Sequence, residues 1–175
     1  PKGSGFLYIN KQHKISPEIT GGSQERDMRG GTENVYGIVG LTKALELSYE
    51  RLDEKHRHIS GLKEHMMKRL TAELENIEFN GDPAGHGLYT VLSVSFPPKE
   101  VGSMLLFNLD IAGISASGGS ACSSGAVGGS HVINHIEPGS DRTTIRFSFG
   151  PFNTMDDIDK TVEELKKWYA KNNQA

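Results

Sequence analysis

Leu92-Ser93-Val94-Ser95-Phe96-Pro97-Pro98 decides the fold class. Leu92, Val94 and Phe96 alternate with Ser93 and Ser95, the two-residue period of a strand with one apolar and one polar face. Pro97-Pro98 ends it. Thr143 to Phe149 repeats the pattern, with Ile145 and Phe147 on one face and Thr144, Arg146 and Ser148 on the other. Between and around these strands the period becomes helical. Ile38, Val39, Leu41, Ala44 and Leu45 lead a long amphipathic stretch from Val35 to about Leu74, which Ile59, Leu62, Met66, Leu70 and Leu74 continue at spacings of three and four. Ile77 to Phe79 is a short run closed by the turn residues Asn80-Gly81-Asp82-Pro83. Val101, Met104, Leu105 and Leu109 predict a helix ended by Gly113, followed by a short extended piece from Ile114. Thr154 with Asp157 three residues on reads as a capping box ahead of a last helix through Ile158, Val162, Leu165 and Trp168. With an opening strand expected at Phe6–Ile9, the order of elements predicts an α/β chain with an α+β domain at its C-terminal end.

Composition excludes more than it identifies. The formal net charge of -3 in 175 residues points to neither nucleic acid nor an anionic membrane. No apolar run approaches the roughly 18 to 20 residues of a membrane span, and the order of a signal peptide is absent, so a cytoplasmic location is expected. A single cysteine rules out an internal disulfide and a cysteine-clustered metal site. The apolar opening, with nothing before it to cover both sides of a strand, suggests a piece of a longer protein.

The 21 glycines gather at Gly3 and Gly5, from Gly21 to Gly31, and from Gly113 to Gly129, each beside residues able to do chemistry. From Ala116 to Ser130 almost nothing is larger than a serine. Cys122 sits in the middle of that loop, with only Ala121, Ala126 and Val127 as apolar neighbours, so an accessible thiol is expected rather than a core residue. Gly30-Gly31-Thr32 ahead of a helix offers backbone N–H groups and a hydroxyl to an anion such as a phosphate, although a plain helix-capping threonine would look the same. Arg146, central in a strand, suits a substrate carboxylate, although a structural ion pair with an Asp or Glu would look the same. His131 and His135 lie four apart without an evident third metal ligand, and no metal site is expected. His56, His58 and His65 read as surface residues of the long helix.

Three ordered motifs then carry a resemblance. Ser117 to Gly125, SGGSACSSG, resembles the active-cysteine segment of cysteine desulfurases of the IscS/NifS kind, members of the class V aminotransferase family of pyridoxal 5'-phosphate (PLP) enzymes. Met28-Arg29-Gly30-Gly31-Thr32-Glu33-Asn34 is similar to that family's Arg-small-Gly-Thr stretch. Ile145 to Gly150 is similar to its substrate-arginine strand, and the opening Pro-Lys-Gly to the segment just after the cofactor lysine.

The resemblance implies the C-terminal part of a PLP-dependent transferase of the aspartate aminotransferase type. Residues 1–34 would close the large cofactor domain, 35–76 would form a long connecting helix, and 77–175 would form the small domain carrying the cysteine loop 115–130. It implies that Cys122 takes sulfur from L-cysteine as a persulfide, releasing L-alanine and passing the sulfur to an acceptor or iron–sulfur scaffold protein. Thr32 would reach the PLP phosphate of the other subunit of a homodimer, and Arg146 would bind the substrate carboxylate. The Schiff-base lysine would precede Pro1, so this chain alone is expected to be inactive. Gly87-Leu88-Tyr89 departs from the Pro-Asn turn of many relatives, at an edge without catalytic residues. A non-catalytic sulfur-carrier or redox module would explain Cys122, but neither Arg146 nor the Gly-Gly-Thr motif.

Overall fold

The computed structural model describes residues 2–97, 104–118 and 130–172. They fall into two units, Pro1–Leu52 and Asp53–Ala175.

In the second unit three short strands, β1 (Glu78–Phe79), β2 (Val91–Phe96) and β3 (Thr143–Ser148), form an antiparallel sheet in the order β1-β2-β3. The register pairs Phe79 with Val94, Val94 with Ile145, Leu92 with Phe147, and Ser93 with Arg146. This puts Leu92, Val94, Phe96, Ile145 and Phe147 on one face, all buried, and the serines, Thr144 and Arg146 on the other.

Helices cover the apolar face. α2 (Leu52–Glu73) turns Ile59, Leu62, Met66 and Leu70 inward, spacings of three and four that make one stripe. α5 (Met155–Asn172) does the same with Ile158, Val162, Leu165 and Tyr169. Its start is the expected capping box: the Thr154 N–H donates to Asp157 Oδ2 at 2.9 Å, and the Asp157 N–H returns to Thr154 Oγ1 at 3.2 Å. Thr154's backbone N–H holds the Asp157 carboxyl below the usual carboxylate range. Phe96 meets Trp168 and Tyr169 edge-on, at ring separations of 6.5 and 6.3 Å. Burial pushes the Tyr169 phenol up to about 12, and its hydroxyl donates to the Glu75 carbonyl.

On the solvent side α2 and α5 are joined by charge. Arg69 pairs with Glu73, Asp159 and Glu163 at 2.6 to 2.9 Å, Lys166 pairs with Glu73, and His65 with Asp159. His65 is therefore an inter-helix partner rather than a plain surface residue. Lys63, on the same helix, is 4% exposed and donates to the Leu88 carbonyl at 3.0 Å. Burial pushes its amine down, and the nearby Asp82 charge opposes that.

α3 (Leu105–Ile111) buries Leu105 and Leu109 in the same core and stops where predicted. Gly113 takes a left-handed φ of 76°. Its N–H donates to the Asp110 carbonyl and that of Ile114 to the Leu109 carbonyl, a paired ending that sends the chain towards the edge of β3. α4 (His131–Ile136) is short, with the Ser130 hydroxyl accepting from the Ile133 N–H.

The first unit contains a short turn, Gln24–Asp27, whose Glu25 and Arg26 are not helical, and α1 (Val35–Glu50). α1 and α2 are separate helices, with Arg51 leaving helical geometry between them. The strand expected at Phe6–Ile9 is not formed. A strand is held by ladder bonds and cross-strand contacts, and no described segment supplies them there: Phe6, Leu7 and Tyr8 are 78%, 73% and 82% exposed.

Candidate functional site

The outer face of the sheet carries a row of polar residues across the strands. Asn80, just past β1, stands beside Ser93 on β2; Ser93 stands opposite Arg146 on β3; and Ser117 pairs with Arg146 from the far side as an isolated antiparallel bridge. Arg146 donates its N–H to the Ser117 carbonyl at 2.7 Å and accepts from the Ser117 N–H at 3.0 Å. Since both backbone groups of Arg146 point at Ser117, its pairing with Ser93 is the non-hydrogen-bonded kind, which brings side chains closest.

A second row holds Ser95 and Thr144, whose hydroxyls lie 2.9 Å apart. Asn80 Nδ2 donates to Ser93 Oγ at 3.0 Å and to Ser95 Oγ at 2.9 Å, while Ser95 Oγ donates to Asn80 Oδ1 at 3.1 Å. Ser95 is thereby buried completely without an unmet hydrogen bond, although the alternation had placed it on the polar side.

Arg146 itself is half-buried and forms no ion pair or side-chain hydrogen bond among the described residues. The one carboxylate within the three strands, Glu78, pairs with Arg142 at 3.4 Å. Arg142 also donates to the carbonyls of Asn76 and Ser95. The ion-pair explanation of Arg146 thus finds no partner in the described residues, and an incoming carboxylate would meet an available guanidinium. Its along-strand neighbours on the same face are Thr144 and Ser148, so small hydroxyl side chains surround it on all four sides.

Thr32 belongs to the first unit and lies in a tightly folded loop. Glu25, Arg26 and Asp27 take left-handed φ angles of 48°, 57° and 65°, turning the chain back so that the Gly30 N–H donates to the Ile19 carbonyl at 2.8 Å. At Gly30 the two passes nearly touch. A Cβ there would lie 2.8 Å from the Gly21 nitrogen and 2.9 Å from both the Gly21 Cα and the Thr20 carbonyl carbon, so glycine is required. Gly31 follows with φ of 102°, its N–H donating to Gln24 Oε1.

The residue that caps α1 is Asn34, not Thr32. Asn34 Oδ1 accepts from the Gly37 N–H at 3.1 Å. Thr32 is exposed, and among the described residues the N–H groups of Thr32, Glu33 and Asn34 have no acceptor. A hydroxyl, free N–H groups and the N-terminus of a 16-residue helix with no acidic residue in its first turn make a donor set that fits a phosphate.

Cys122 lies outside the described residues, as does most of the loop that carries it. The segment that leads into it is described: Ile114 and Ala116 pack partly buried on the core, and Ser117 and Gly118 follow against β3 and α3. His131 and His135 are both exposed on α4.

The described residues thus set an arginine open to a carboxylate on one strand of the second unit and, in the first unit, a loop whose donors suit a phosphate. Residues 1–161 match the aminotransferase class-V family, and the chain belongs to it. Among curated relatives it is 46% identical over 168 residues to the protein IscS 1 of Bacillus subtilis, covering 94% of this chain and 44% of that one. It is 37% identical over 169 residues to the cysteine desulfurase IscS of Dictyoglomus turgidum, covering 95% and 42%. Among solved structures, a NifS-like protein superposes with a TM-score of 0.76 at 31% identity, covering 94% of this chain and 41% of that chain. The NifS-like protein of Rickettsia africae gives 0.74 at 27%, covering 91% and 41%. The chain therefore spans about two fifths of the length of the relatives it matches.

Two features of the site were not read from the sequence. Ser117 was visible as the first residue of a motif, but its bridge to Arg146 joins positions 29 apart. Gly30 was visible as part of a glycine pair, but which glycine lacks room for a side chain depends on where Thr20 and Gly21 cross it.

Proposed function

We propose that this chain is the C-terminal part of a PLP-dependent cysteine desulfurase, active in the complete protein and inactive alone. The observation that carries the reading is Arg146: without an ion-pair partner among the described residues, flanked by serine and threonine positions, and bonded through its backbone to Ser117, the first residue of the SGGSACSSG segment. In this reading residues 1–34 close the cofactor domain, 35–76 connect, and 77–175 form the small domain.

In this reading Thr32, with the neighbouring N–H groups that have no acceptor among the described residues, would hold the PLP phosphate of the other subunit, and the Schiff-base lysine would be supplied upstream of Pro1. PLP, when bound, supplies an electron sink for charge developing on the substrate carbon. Arg146 grips the carboxylate of L-cysteine and orients it. Cys122, as thiolate, attacks the substrate sulfur. A sulfur–sulfur bond forms as the carbon–sulfur bond breaks, its electron pair leaves on the carbon side, and a proton there completes L-alanine. The persulfide on Cys122 then passes to an acceptor or iron–sulfur scaffold protein. A homodimer in the cytoplasm is the expected setting; no helix among the described residues is long and apolar enough to cross a membrane.

The test separates binding from chemistry in the complete enzyme. Cys122→Ser should still bind L-cysteine, read from the cofactor spectrum, and form no persulfide, because a hydroxyl cannot accept the sulfur in that form. Arg146→Ala should lose a charge-assisted bidentate contact of about 2 to 3 kcal/mol, roughly 30- to 150-fold in affinity for L-cysteine. Parental sulfur transfer by Cys122→Ser, or parental cysteine binding by Arg146→Ala, would refute the corresponding role.

A further inference from the structure

On the side away from β2, β3 is the edge of the sheet, and the described residue that pairs with it there is Ser117. An edge position with unmatched backbone groups is free to shift. At Arg146 both groups are matched, and by that single residue. The neighbours Ile145 and Phe147 point their side chains into the core and pair with Val94 and Leu92 on β2, so the strand is fixed on its inner side by them. On its outer side, Arg146 is fixed by the chain entering the cysteine segment.

That entering chain is itself anchored. The Gly113 ending of α3 aims it, and Ile114 and Ala116 pack on the core. At Gly118 a Cβ would come within 3.2 Å of Leu106 Cδ2 and 3.8 Å of Ile145 Cδ1, so the backbone lies close against α3 and β3. Ser117 is the one described residue of this run that hydrogen-bonds to the strand. A two-bond bridge at a sheet edge opens at lower cost than the core.

We propose that Ser117 is a positioning residue for Arg146, coupling substrate-carboxylate binding at the guanidinium to the start of the cysteine segment through its backbone. This rests on the reading of Arg146 as the carboxylate ligand. A carboxylate on Arg146 favours the backbone position that the bridge holds, so it stabilises the bridge. By reciprocity, loosening the bridge weakens carboxylate binding by the same factor.

The measurement is amide hydrogen exchange on the complete enzyme with and without saturating L-alanine, which carries the carboxylate but no sulfur. The Ser117 and Arg146 amides should slow together by about 5-fold or more, the lower end of typical coupling. Those of Ile145 and Phe147, bonded to β2 in the alternating antiparallel pattern, should not change. Ser117→Pro, which deletes the donor, should raise the dissociation constant for L-alanine by a similar factor, whereas Ser117→Ala, which keeps both backbone groups, should leave it at the parental value. If L-alanine binds, Arg146→Ala weakens that binding by the factor expected above, and the Ser117 and Arg146 amides still exchange unchanged, the coupling is wrong while the carboxylate role stands. If Arg146→Ala binds L-alanine as the parent does, both fall. Should Ser117→Pro not fold, the exchange comparison on the unmutated enzyme decides.

Discussion

Replacing Gly30 by alanine tests the proposed phosphate loop at the point where the structure leaves no freedom. The added methyl would sit 2.8 to 2.9 Å from three backbone atoms of Thr20 and Gly21, none of which can rotate away. The two passes of the loop must separate, and the 2.8 Å bond from the Gly30 N–H to the Ile19 carbonyl stretches or breaks with them. Overpacking of this kind costs about 1 to 3 kcal/mol, and the hydrogen bond adds about 1. If the loop pays even 2 kcal/mol to regain the geometry that presents Thr32, affinity for PLP falls roughly 30-fold. Gly21→Ala is the internal control. It faces the same crossing from the other side, but its nearest neighbour would be Gly30 Cα at 3.7 Å, an ordinary contact. The assay is equilibrium dialysis of PLP against the complete enzyme freed of cofactor, with circular dichroism confirming that each variant is folded. Equal PLP affinity for Gly30→Ala, Gly21→Ala and the parent would show that the crossing does not set the phosphate donors.

Two further outcomes concern stability. The Arg69 guanidinium, and then Lys166, hold the Glu73 carboxyl down at about 2, while Asp159 and Glu163 are held below their ordinary values by His65 with Arg69 and by Arg69 respectively. Folded values below the unfolded ones mean stability that is present above about pH 4 and lost as pH falls through the folded values. Arg69→Met should therefore flatten the dependence of Tm on pH between about 4.5 and 2, most visibly at low salt; an unchanged slope would show that the network is not linked to folding. Ser95→Ala strips a fully buried hydroxyl from Asn80 and Thr144 and should cost about 1 to 3 kcal/mol in urea unfolding with the m-value unchanged; a loss under a few tenths of that would mean the two partners pair without it.

The parts of the fold that were legible are those whose cause is local. The alternation around Leu92 and Val94, the stripe from Ile59 to Leu70, the Thr154 and Asp157 capping box and the Gly113 ending each depend on residues within a turn or two, and each formed. Phe6 to Ile9 looked equally local, yet apolar composition alone does not make a strand when no described neighbour completes its hydrogen bonds. Ser95 failed in the opposite direction. Period two assigned it to a polar, open face, but Asn80 from the next strand and Thr144 from the one beyond satisfy its hydroxyl and let it be buried. Register between strands decides such cases, and register is a tertiary property.

The same limit applied to the candidate site, and Arg142 and Arg146 show how it was lifted. Both are arginines at the polar side of one short strand, both are partly buried, and composition gives each the same claim to a structural ion pair. Arg142 stands just before β3, where Glu78 of β1 and the carbonyls of Asn76 and Ser95 come within reach of its two terminal nitrogens, while its Nε is buried without a partner among the described residues. Four residues on, Arg146 has turned two side-chain periods along the strand. It meets Ser93 on one side and Ser117 on the other, neither of which carries a charge. A half-buried guanidinium without a counter-ion among the described residues is held at a cost, and no described side chain hydrogen-bonds it, which leaves its bidentate edge for a carboxylate. An arginine retained only for stability would be better served by the arrangement Arg142 already has.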